Sequence, residues 1–241
     1  MDNCKNCNSE IVGKFCSDCG FPKEPKRIDR HYIIDEISSV LNFDKGLFYT
    51  IRELLIRPGD TVKNFIDGDR GRIVKPIIFL IICSLIYTVG QQFFNYKTEF
   101  ITLDVPEGGN KPIVVVLYDW FSQNFGYANI LMSIFIAIWI KIFFRKYNYN
   151  FYEIYILLCF TMGVTVLMYT LLGIIESIIK LPVLDIGKLI VFIYSSWAIG
   201  QFFDRKKKMS YLKGFFSYVL GLLTSLMILS VVGSGLQILL N

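Results

Sequence analysis

The chain holds a single histidine, His31, in 241 residues. One imidazole beside a basic linker is ordinarily just solvated, and no Ser-His-Asp relay can be assembled around it. No glycine-rich phosphate loop occurs. Charge is also scarce: Asp, Glu, Lys and Arg make up 19% of the chain, against about a quarter in a soluble globular domain. The net charge of +5 is too small and too scattered for a nucleic-acid interface. The first residues, MDNCKNCNSE, lack the apolar stretch and small-residue cleavage site of a signal peptide. These absences point away from an enzyme and from a nucleic-acid-binding protein.

Apolar sequence is abundant. Hydrophobic residues make up 54% of the chain, and the mean hydropathy is +0.49. The excess is clustered: the first 75 residues carry much of the charge, while long apolar runs fill 76–241. Five runs, at about 75–94, 128–144, 154–175, 186–203 and 215–239, come close to the ~20 residues a helix needs to cross a bilayer. The expectation is an all-α polytopic membrane protein in three parts: residues 1–24, a linker with amphipathic helices over 25–74, and a transmembrane domain over 75–241.

Lys and Arg set the expected orientation. With the N-terminus inside, the inner flanks hold Lys63, Arg70, Arg72, Lys75, Lys141, Arg145, Lys146, Arg205, Lys206, Lys207, Lys208 and Lys213. The outer flanks hold only Lys97, Lys111, Lys180 and Lys188. The positive-inside rule then places the N-terminus in the cytoplasm and the C-terminus outside.

Four of the six cysteines crowd the N-terminus. Cys4 and Cys7 form one CxxC pair, Cys16 and Cys19 a second, with eight residues between the pairs. Each pair is a tight turn that aims two sulfurs at one point, and two such turns suit a tetrahedral Zn²⁺. Gly13 falls where a hairpin would reverse, and Gly20 follows the second pair where a positive φ is often needed. Disulfides are the alternative, but a ~20-residue segment needs a staple in place of a core, and in a reducing cytoplasm that staple is a metal. With all four ligands supplied by protein the site is closed, hence structural. Cys83 and Cys159 lie within apolar runs and read as packing residues.

Between this ribbon and the first span, Ile33, Ile34, Ile37, Val40 and Leu41 follow helical spacing, as do Leu47, Phe48, Ile51, Leu54 and Leu55. Asp44 stands where the second helix would be capped, and Pro58-Gly59 should end it. Asp60 is placed to cap a third helix over Val62, Phe65 and Ile66, closed by Gly68. The apolar faces would lie at the membrane interface, with Arg52, Arg57 and Lys63 near headgroups, or dock on the spans or on a partner.

The segment 95–127 is the one long external loop. Its Val105-to-Gly109 turn signal, flanked by Ile101, Leu103 and Ile113–Leu117, suggests a β-hairpin. Trp120, Phe121 and Phe125 suggest an aromatic belt. The span centres are nearly free of ionisable groups. Glu176 is the best candidate, and Lys180 one turn on suits it as an i, i+4 partner. Thr161, Gly163, Thr165, Ser195, Ser196, Ala198, Gly200 and the Gly221/Ser225 pair favour close helix contact, within the chain or in a homo-oligomer.

The run FDKGLFYTIRELLIRPGDTVKNFIDGDRGRIVKPIIFL over 43–80, behind a CxxC…FCxxCG ribbon, resembles an uncharacterised bacterial membrane-protein family of unknown function. Thr50, Arg52, Glu53, Leu54, Arg57, Pro58, Gly59, Gly68, Arg70 and Pro76 carry the resemblance. It implies a zinc ribbon, an amphipathic segment and several spans in a bacterial inner membrane, and no mechanism. The topology is also similar to that of Yip1-type membrane proteins. The expected function is a non-enzymatic scaffold or adaptor that engages a cytoplasmic partner or the membrane surface. A transporter or channel lined by spans three and four is the alternative.

Overall fold

A computed structural model describes Cys4, Cys7, Ser9, Gly13 and residues 16–19 of the N-terminal segment, then residues 46–68, 72–96 and 112–240. The chain divides into two units, Met1–Asp44 and Lys45–Asn241. The helix expected around Ile33 to Leu41, the cap at Asp44, Gly20, Arg70 and the turn at 105–109 lie outside the described residues.

Every described element of the second unit is a helix. Two short helices, α1 (Leu47–Ile56) and α2 (Pro58–Asp67), precede α3 (Pro76–Phe94). Then come α4 (Ile113–Gln123), α5 (Phe125–Phe143), α6 (Phe151–Ile179), α7 (Val183–Asp204) and α8 (Lys208–Leu240). Five of them, α3, α5, α6, α7 and α8, are long and apolar enough to cross a membrane. Of these, α6, α7 and α8 run past the apolar segments read from the sequence at both ends, α5 begins three residues earlier, and α3 coincides with its segment to within one residue. Helical geometry needs only satisfied backbone, so polar flanks such as Asn150 and Glu153 extend α6, where they form a reciprocal capping box.

The ends of the spans fall into two sets. Phe144, after α5, stacks on Phe203 of α7 at 3.9 Å, and Tyr149, before α6, packs on Phe202 at 4.7 Å. The start of α6 thus lies with the ends of α5 and α7. This end carries Lys141, Arg145, Lys146 and Arg205 to Lys208 and is called the basic end below. At the opposite end Ser177 Oγ donates to the Phe94 carbonyl at 2.7 Å. The described cations there are Lys180 and Lys188.

Three expectations need correction. Residues 113–117 are helix, not strand. The run is β-branched, but α4 and α5 lie antiparallel along α8, and that packing overrides local preference. The Ile113 N–H donates to Gln237 Oε1 at 2.8 Å, and the Tyr118 hydroxyl lies 2.8 Å from Ser230 Oγ. Further along, the α5 backbone at Ile136 meets Gly221, where an added Cβ would stand 2.5 Å from Ile136 Cα. The small residue at 221 therefore serves contact within the chain.

Phe125 does not join an aromatic belt. It is buried, edge-on to Tyr169 at 5.3 Å and tilted against Tyr87 at 5.5 Å. Glu176 does not rest on Lys180. Its carboxylate accepts from the Leu184 N–H at 2.7 Å and so satisfies one of the free donors in the first turn of α7. Lys180 instead ends α6 in the left-handed conformation, φ 58°.

Candidate functional site: four sulfurs and a docked helix pair

The Sγ atoms of Cys4, Cys7, Cys16 and Cys19 lie within 4.8 Å of one another. Cys4 and Cys19 are 3.5 Å apart, as are Cys7 and Cys16. Sulfurs tetrahedral about a metal at ~2.3 Å sit about 3.8 Å from each other, so the cluster is of the right size to hold one ion. The Cys4 N–H donates to the Ser9 carbonyl at 2.8 Å, closing the first turn, and Gly13 sits in a bend. Cys4 and Cys16 are buried while Cys7 and Cys19 are exposed. Ser9 lies beside Cys7, with Oγ 3.4 Å from Sγ. Hydrogen bonding from the Ser9 side chain and backbone, then from Cys19 and Cys16, lowers the Cys7 pKa to about 6. The thiolate is the form that ligates metal. All four cysteines picked from their spacing are therefore brought together.

The second candidate is the α1–α2 pair, where the apolar face read from the sequence is split between a buried and an exposed side. Leu47 and Leu54 are buried as expected, but so are Thr50 and Glu53. Phe48, grouped with Leu47 and Leu54 on one apolar face, is 78% exposed. The reason is a set of polar bonds, two of them local to the helix and one, to Val74, that only the fold completes. Thr50 Oγ1 donates to the Gly46 carbonyl at 2.5 Å and accepts from the Val74 N–H at 3.1 Å, tying α1 to the entry of α3. Glu53 pairs with Arg57 at 2.5 Å. That carboxylate, chiefly through its hydrogen bond, raises the guanidinium pKa above its ordinary value.

The Arg57-Pro58-Gly59 element sets the dock. Pro58 stands at the first position of α2, where its missing N–H does no harm. Asp60, expected as the cap, lies in the first turn instead, where its charge still suits the helix dipole. Gly59 is required by close approach: an added Cβ would meet Gln201 C and Phe202 N of α7 at 2.5 Å. Its N–H donates to Gln201 Oε1 at 2.8 Å. On the other side of α2, Phe65 packs edge-on to Phe160 of α6 at 5.4 Å, and Phe79 of α3 touches the same ring at 5.8 Å. Lys63 stands 5.9 Å over the Phe202 ring, and Gly68 closes the helix at φ 123°. Among the described side chains of the motif, Arg52 is exposed and has no partner among the described residues.

Inside the bundle, Thr161 and Thr165 are buried, but each hydroxyl donates to a carbonyl of its own helix, Leu157 at 2.9 Å and Met162 at 2.8 Å. The Asn129 amide nitrogen is buried without a partner among the described residues.

A model of a protein family of unknown function, DUF3667, matches residues 44–88, the segment that runs from α1 into α3. No curated protein and no solved structure matches the chain.

Proposed function

We propose that this chain is a multi-pass membrane adaptor whose N-terminal cysteine cluster binds a structural Zn²⁺ and recruits a cytoplasmic protein partner. The convergence of four thiol sulfurs carries this reading. A site filled by four protein ligands leaves no open position for substrate, so its role is to shape a small recognition surface. The seat is the inner membrane of a bacterial cell, with the N-terminus cytoplasmic and the C-terminus external. Two observations support that orientation: the gathering of Lys and Arg at one end of the bundle, and a thiolate cluster that suits a reducing compartment. The test is cross-linking of the full chain in intact membranes, with the wild type compared against Cys16→Ser. A specific adduct present only in the wild type supports the adaptor. Identical adducts in both would sink it.

Transport is the second reading. The observation that favours it is the Asn129 amide nitrogen on α5, buried with no partner among the described residues, since an unpaired polar group at membrane depth is expensive. Solute flux into proteoliposomes that Asn129→Leu abolishes would establish it.

A further inference from the structure

The exposed side of α1 is largely apolar, and no described residue covers it. Phe48 is 78% exposed, Leu55 44% and Ile56 59%, and Arg52 stands among them. At spacings of four, three and one residues, these side chains form a single stripe along the helix. A soluble helix would turn such a stripe inward. This one turns Thr50 and Glu53 inward instead, because their bonds to Val74 and Arg57 are made there.

The depth of α1 identifies what covers the stripe. The Leu54 carbonyl is bonded by the Tyr194 hydroxyl at 3.1 Å. Tyr194 lies roughly 15 Å along α7 from Asp204, at about 1.5 Å per residue. Tyr194 stands midway along α7, while Gly59 at the start of α2 is held by Gln201, only about 5 Å from Asp204, so the α1–α2 pair reaches to the basic end, where α3 also enters. There α3 begins its own outward face, Ile77, Ile81 and Leu85, exposed by 61%, 44% and 50% at i, i+4 and i+8. On a span that face belongs to lipid. The Thr50–Val74 bond sets α1 beside the entry of α3, with the stripe on the side turned away from the bundle. An apolar stripe with a lone cation at its centre suits the boundary between acyl chains and anionic headgroups.

We propose that the stripe Phe48, Arg52, Leu55 and Ile56 lies in the bilayer interface, and that Arg52 binds the phosphate of an anionic phospholipid. Phe48, Leu55 and Ile56 enter the acyl boundary, and the guanidinium offers paired N–H donors to the phosphate oxygens. The lipid would hold the α1–α2 pair from outside while α6 and α7 hold it from within.

The experiment uses the full chain in liposomes of phosphatidylcholine and phosphatidylglycerol in equal parts. A benzoylphenylalanine photoprobe replaces Phe48, and in a second sample Ile81. Lipid adducts at both positions are expected. Adducts at 81 with none at 48, or adducts at 48 to protein alone, overturn the interfacial placement. In the second arm, native mass spectrometry compares lipid retained by wild type and Arg52→Gln. Retained phosphatidylglycerol should fall about five-fold, with phosphatidylcholine unchanged. Equal retention overturns the role of Arg52. Neither readout involves the cysteine cluster, so failure here leaves the adaptor reading intact, and the reverse also holds.

Discussion

The Tyr194 hydroxyl donates to the carbonyl of Leu54 across 3.1 Å, joining α7 to α1. In an unbroken helix that carbonyl would accept from the N–H four residues on. Here that residue is Pro58, which has none. A proline that separates two helices therefore leaves one acceptor open in a buried place, and a tyrosine from a distant span fills it.

Tyr194→Phe should leave the fold intact and expose this dependence. Loss of the hydroxyl strands a buried carbonyl, which costs about 1–3 kcal/mol. Thermal unfolding in detergent should show a lowered midpoint, and limited proteolysis should cut sooner within 46–68. An unchanged midpoint together with unchanged proteolysis would mean the bond contributes nothing.

Gly59→Ala tests the close approach of α2 to α7. The new methyl would press on the backbone of Gln201 and Phe202 at 2.5 Å, which cannot retreat as a side chain can. Overpacking of this kind costs about 1–3 kcal/mol. The readout is hydrogen exchange: amides of α2 should lose protection while those of α8 keep theirs. Loss spread evenly through the bundle would argue against a local dock.

Glu176→Ala should weaken the turn between α6 and α7. The carboxylate serves the Leu184 N–H at 2.7 Å, and removal of a helix cap costs about 1 kcal/mol. Lys180→Ala should matter less, since the expected ion pair is not what holds Glu176. If Lys180→Ala lowered the unfolding midpoint more than Glu176→Ala, this assignment would fail.

Metal analysis of the purified chain should give about one zinc per molecule. Cys16→Ser should lower occupancy sharply, because three sulfurs do not close the site. Chelation should remove the ion without unfolding the spans, since the two units are separate in the chain. Full occupancy in Cys16→Ser would refute a four-sulfur zinc site.

Topology can be read with a C-terminal reporter that works only in the cytoplasm. It should be silent, as an odd number of spans from a cytoplasmic N-terminus requires. Replacing Arg205 to Lys208 with Gln should disturb insertion of α8, even though part of the run is already engaged: Lys207 with Asp204 at 2.9 Å and Arg205 with Asp60 at 3.6 Å. A bright wild-type reporter would reverse the assignment.

Several features followed from the sequence by itself because they are local. Hydropathy over ~20 residues marks a span wherever the helix later packs, so five spans were legible. Two CxxC turns bring sulfurs together whatever lies beyond them, so the four cysteines were legible too. Pro58 and Gly68 bound α2 by backbone chemistry alone. Only the tertiary structure decided which way α1 faces, that 113–117 is helix, that Phe125 is inside, and what Glu176 binds. In the first three cases the deciding partner is distant in the chain: Val74 for Thr50, Gln237 for Ile113, Tyr169 for Phe125. Glu176 is nearer to its partner, yet its choice of Leu184 over Lys180 depends on how α7 turns back against α6. An apolar pattern records how many side chains must avoid water. It does not record which buried hydrogen bonds a helix can complete, and at α1 those bonds turned Thr50 and Glu53 inward and left Phe48 outside.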